Sequence, residues 1–126
     1  MSVLRAFGVE VDARRLPGGQ GMSWMSGDVV LKPGGGPVHA WLGEALAGLV
    51  PDGVRLALPV PSRGGSWTVE GWTATRFVEG SEPDYSARST WVRIVEAGRA
   101  FHSAVAHLAR PGCLDARKDP WTLACR

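Results

Sequence analysis

With 126 residues, the chain has room for one modest domain around a single core. A hydrophobic share of 44% against 21% charged residues excludes an intrinsically disordered polymer. The net charge of +2, from 14 basic and 12 acidic residues mixed along the chain, is too small a bias to indicate nucleic acid or an anionic membrane surface as partner.

No apolar run approaches the roughly 18 residues needed to cross a bilayer. The opening "MSVLRAFGVEVDARR" has neither a long apolar stretch nor a small-residue cleavage site, so no signal peptide and a cytoplasmic location are expected. Cys113 and Cys125 lack both CxxC spacing and a neighbouring histidine cluster. Free thiols are therefore expected in preference to a zinc site or a disulfide.

In chain order, Val3 to Val11 reads as a short helix or turn leading into the first strand. Met22-Ser23-Trp24-Met25 can extend, Ser26-Gly27-Asp28 forms a turn, and Val29-Val30-Leu31 is a buried strand run, together predicting an antiparallel hairpin. Pro37 stands where a helix can begin. The stretch "VHAWLGEALAGLV" then places Trp41, Leu42, Ala45, Leu46 and Leu49 on one stripe, with Pro51-Asp52-Gly53 as the stop. "VRLALPVPS" alternates as a strand does, Arg63-Gly64-Gly65-Ser66 is a turn, and "WTVEGWTATRFVEG" returns as a further strand ending at Gly80. A loop from Ser81 to Ser89 leads to "STWVRIVEAGRAFHSAVAHLA". There Trp91, Ile94, Val95, Gly98, Phe101, Val105 and Leu108 recur at helical intervals, with Ser89 or Thr90 as N-cap and Arg110-Pro111-Gly112 as terminator. Antiparallel strands with helices set to one side define an α+β fold.

Three features carry candidate chemistry. Gly18, Gly19 and Gly21 lie before a strand, where backbone without Cβ atoms can approach a ligand and aim N–H groups at phosphate oxygens; a plain turn is the simpler alternative for glycines alone. Lys32 follows at a strand end. In a chain of twelve arginines and two lysines, a compact ammonium there suits a point contact between phosphates, although a solvated edge residue is the usual meaning of such a lysine. Glu44 lies mid-helix beside the apolar stripe, where its carboxylate can hold the Lys32 ammonium; a solvent-facing glutamate is the ordinary alternative.

The glycine-bearing hairpin, strand lysine, helix glutamate and the strand running into "TATRFVEG" resemble the N-terminal lobe of aminoglycoside phosphotransferase-like kinases, which share the protein-kinase-like fold with choline kinases. "LPGGQGMSW…GDVVLKP" is similar to an actinobacterial branch of such phosphotransferase-like proteins, and "AGRAFHSAVAHL" resembles the first helix of the second lobe. The likeness covers residues 16 to 121 and implies a nucleotide-binding lobe over 1–80, followed over 81–126 by a loop, a first second-lobe helix and a tail. It implies that backbone N–H groups of Gly19, Gln20, Gly21 and Met22, beside Gly18, cover the phosphates of ATP. Lys32 would contact the α- and β-phosphates with Glu44 as its ion-pair partner. Thr75-Arg76-Phe77-Val78 would be the hinge, its Arg76 carbonyl and Val78 N–H meeting the adenine edge, with Val30 and Leu58 against the base. Trp72 and Phe77 read equally well as core.

The family's H-G-D-…-N loop and later metal-binding aspartate have no counterpart here. His102 and His107 are followed by Ser103 and Leu108, not by Gly-Asp, and Asp115 and Asp119 have no asparagine partner. The resemblance therefore implies nucleotide binding without phosphotransfer by this chain, with no ligands for Mg²⁺, as if the sequence stopped short of the catalytic loop. The helix over 91–108, lacking a second lobe to pack on, would be left for self-association or a partner. The alternative is a small non-catalytic α+β interaction module, with Trp24 or Trp67 among six tryptophans as its recognition surface.

Overall fold

The computed structural model describes residues 3–9, 12–17 and 21–114. The fold is α+β. A four-stranded antiparallel sheet runs in the order β1 (Arg14–Arg15), β2 (Trp24–Ser26), β3 (Val29–Pro33), β4 (Trp72–Arg76). Around it stand α1 (Val3–Ala6), α2 (Gly36–Ala45) and α3 (Arg88–Val105), with a final 3-10 turn at Gly112–Leu114.

The expected hairpin forms. Gly27, at φ 59°, opens a two-residue turn that pairs Ser26 with Val29, Met25 with Val30 and Trp24 with Leu31. β3 then pairs along its whole length with β4, from Val29 opposite Arg76 to Pro33 opposite Trp72. Strand alternation sorts these residues onto two faces. Val29, Leu31 and Ala74 share one face and are buried together with Phe7 and Val9, which α1 and its following turn lay across the sheet. Each fully buried Val or Leu contributes about 1.5–3 kcal/mol, so this small cluster supplies most of the apolar stabilisation of the sheet. Val30 and Lys32 project from the opposite face, alongside Thr73 and Thr75 of β4.

Several boundaries differ from the sequence reading. The helix expected within Val3 to Val11 is confined to Val3–Ala6, because Gly8 turns left-handed at φ 77°. β1 was not anticipated: two arginines carry no apolar alternation, and their pairing with β2 makes the strand. α2 stops at Ala45, not at Pro51, since Leu49 N–H bonds back to Leu46 and Gly48 adopts φ 74°. The stretch expected as a strand over 54–62 forms only a bridge, Pro59 opposite Thr75, flanked by Val60 N–H to Ala74 O and Arg76 N–H to Leu58 O. In that register Pro59 and Pro61 fall at positions facing away from β4, where the missing N–H groups close the sheet edge to further pairing. The single strand expected over 67–80 is a tight hairpin. Val69 and Trp72 exchange both backbone hydrogen bonds around Glu70 at φ 51° and Gly71 at φ 80°. α3 begins after Ala87, so Ser89 and Thr90 lie inside its first turn and not at the cap, and it ends at Val105, ahead of Arg110-Pro111-Gly112.

One contact fixes α2. A Cβ built on Gly43 would stand 2.6 Å from the Trp67 ring, so the indole lies flat where any other side chain would begin. Gly43→Ala is expected to lower stability by about 1–3 kcal/mol through overpacking. Gly98→Ala, in α3 with open space beside it, is expected to raise stability by about 0.5–1 kcal/mol. Urea midpoints of the two variants check both signs; the same sign for both would remove the Trp67 contact from the account.

Candidate functional site

Lys32 stands at the far end of β3, exposed, on the sheet face that carries Val30 and Thr73. Its backbone is tied down: the Lys32 carbonyl accepts from Thr73 Oγ1 at 3.3 Å, in addition to the strand pairing. Among the described residues its ammonium makes no ion pair; the ion pair there joins Arg76 Nη1 to Asp28 Oδ2 at 2.6 Å.

Glu44 does not supply the expected partner for Lys32. Its Oε1 instead accepts from Trp67 Nε1 at 3.0 Å, across the same contact that fills the space over Gly43. The helix presents residues 43 and 44 to one indole, and an exposed carboxylate finds a donor there at once. His39, one turn earlier, completes the group with its ring edge-on to Trp67 at 6.5 Å between centroids. Its Nε2 is buried without a hydrogen-bond partner, and burial pushes the imidazole pKa below its ordinary value.

Of the glycine loop between β1 and β2, Gly18, Gly19 and Gln20 lie outside the described residues. Gly21 adopts φ 70° with nothing within 4 Å of a built Cβ, and Met22 beside it is 53% exposed, so this end of the loop is open on its surface. At the other end of the sheet, the Arg76 side chain is held by Asp28 while its N–H reaches Leu58 O. Phe77 N–H donates to Asp28 O at 2.7 Å. Among the described residues, neither the Arg76 carbonyl nor the Val78 N–H takes part in the backbone bonds outside the strand ladder. Val30 is buried and Leu58 half-buried. Trp72 packs on the core and Phe77 is 38% exposed, which separates two residues the sequence left equivalent.

The fold therefore brings Lys32, Val30 and the 76–78 segment to neighbouring strands, and sets Glu44 to a different task. Sequence reasoning missed His39, and it named Trp67 only as a recognition residue, not as the partner of α2. The signal for Trp67 was present, since a glycine in the middle of an amphipathic helix asks what large group approaches it. Trp24, offered with Trp67 as a recognition surface, is half-buried against the core with the Arg15 guanidinium 5.1 Å over its ring.

Among the described residues no group of three His, Cys, Asp or Glu is placed to hold a metal ion, and no helix is long and apolar enough to cross a membrane. No protein-family model, curated protein or solved structure matches this chain.

Two expectations follow. A double-mutant cycle between Lys32→Ala and Glu44→Ala gives a coupling energy near zero. Glu44→Ala alone costs on the order of 1 kcal/mol through the lost indole bond; a coupling above the noise would restore the ion pair. The second concerns pH. The unfolded chain protonates His39 near pH 6.5, whereas the folded chain resists until lower pH. Stability contributed by the neutral ring is thus intact above about 6.5 and declines as pH falls through the folded value. Denaturant titrations at pH 7.5 and 5.5 should show a decline in wild type that shrinks in His39→Gln.

Proposed function

We propose that this chain is a nucleotide-binding lobe of a kinase-like phosphotransferase, binding ATP without transferring phosphate by itself. The observation that carries the reading is the unpaired Lys32 ammonium, anchored through its backbone on an open sheet face, with the glycine loop leading into β2 and the unused 76–78 backbone groups leaving β4. An ammonium without a counter-ion is suited to phosphate oxygens. A carbonyl and an N–H two residues apart suit the edge of an adenine.

ATP bound there supplies a triphosphate as the phosphoryl source. The chain's own residues hold it: Lys32 contacts the phosphates unaided, Gly21 and Met22 approach them by backbone, and Arg76 and Val78 meet the base edge beside Val30. Leu58, two residues before Val60, falls on the covered face and takes no part. The reading is confined to binding, because the metal ligands and acceptor base of phosphoryl transfer are not part of the resemblance.

Titration of ATP followed by tryptophan fluorescence tests the reading. Weak saturable binding is expected, with Lys32→Ala at least about fivefold weaker, the scale of one lost charge-assisted contact. Absence of binding, or equal affinity in the variant, would contradict it.

A second reading, a non-catalytic interaction module, is favoured by α3. Trp91, Val92, Ile94 and Val95 are 43–54% exposed along its first half, and no residue of the helix is buried. An apolar stripe of this kind suits self-association or a partner. Sedimentation velocity should then show association that Val95→Glu abolishes; a concentrated monomer would remove this reading.

A further inference from the structure

On the side of the sheet covered by α1, a cavity of about 350 Å³ lies between the end of that helix and the turn over residues 62–66. Arg5, Ala6, Ser62, Arg63, Gly64 and Val69 line it. The turn is rigidly built. Ser62 N–H donates to Ser66 O at 2.7 Å, Gly65 N–H to Ser62 O at 2.9 Å, and Ser66 N–H to the buried Ser62 Oγ at 3.0 Å. Arg63 N–H donates to Ala6 O at 2.8 Å, which docks the turn onto the end of α1.

The Arg63 side chain lies over the turn that follows α1: Gly8 turns left-handed, and a Cβ built there would stand 3.5 Å from Arg63 Nε. Among the described residues neither arginine pairs with a carboxylate, whereas Arg76 is taken by Asp28 and Arg15 by Trp24. Among the described residues the Gly64 N–H makes no backbone hydrogen bond. Two cations brought to one concave surface repel each other until an anion joins them. The guanidinium fork matches the oxygens of a phosphate in geometry and charge.

We propose that this cavity is an oxyanion site that takes the phosphate group of a small molecule, held by the guanidinium groups of Arg5 and Arg63 and the backbone N–H of Gly64. It lies on the face of the sheet opposite Lys32 and does not depend on the nucleotide reading.

The test is a titration of the full chain with inorganic phosphate, followed by ¹H–¹⁵N correlation spectra, against sodium chloride at matched ionic strength. Saturable shifts at Gly8, Arg63 and Gly64 are expected with phosphate and not with chloride. Arg5→Ala and Arg63→Ala should each weaken binding about tenfold. Arg63→Lys, which keeps the charge and the backbone bond to Ala6, should give an intermediate loss. Arg93→Ala should leave the titration unchanged. A parallel titration with glycerol phosphate assigns the ligand: tighter binding than phosphate points to a phosphomonoester, equal binding to the free ion. Shifts that chloride reproduces, that fail to saturate, or that survive Arg63→Ala would overturn the site.

Discussion

The indole of Trp67 is the constraint on which the arrangement of this chain depends. It lies against α2 where Gly43 leaves room, donates to the Glu44 carboxylate at 3.0 Å, and meets the ring of His39 edge-on. Helix α2 follows β3 after a two-residue link and has no side-chain cap at its N-terminus. Apart from Trp67, the element that approaches α2 is the 3-10 turn at Gly112–Leu114. With Trp67 in place, His39, Gly43 and Glu44, on two adjacent turns of the helix, are tied to the chain segment that precedes β4. The sheet, the helix and the 62–69 connection then act as one unit.

That contact also decides the electrostatics of the open sheet face. The carboxylate at position 44 meets an indole pressed against its own helix. The indole is held by packing and costs little side-chain entropy to meet, whereas an exposed Lys–Glu pair gains about 1 kcal/mol at most. Among the described residues Lys32 has no carboxylate partner, and neither do Arg5 and Arg63 on the covered face.

The parts of this fold that were legible in the sequence are those in which local chemistry and tertiary packing agree. The Ser26-Gly27-Asp28 turn between two β-rich runs specified the β2–β3 hairpin, and the heptad-like recurrence of Trp91 through Leu108 specified a long helix. The misreadings lie where backbone conformation overrides composition. Gly48 ends α2 before the more conspicuous Pro51, and Glu70 adopts a left-handed turn conformation that glutamate does not advertise. The alternation of "VRLALPVPS" is that of a strand, but prolines at 59 and 61 confine it to a bridge along β4. At the candidate site, Lys32 was found by its rarity among arginines. The fate of Glu44 was not, because spacing along the chain places a carboxylate on a helix without naming the donor it will meet.

The most direct measurement follows the Trp67 indole Nε1–H resonance during an ATP titration. If the carboxylate at 44 belongs to the indole and Lys32 alone meets the phosphates, the Lys32 side-chain signals move while the Trp67 resonance keeps its hydrogen-bonded position. Loss of that position as ATP binds, with Glu44 transferring to Lys32, would contradict the account.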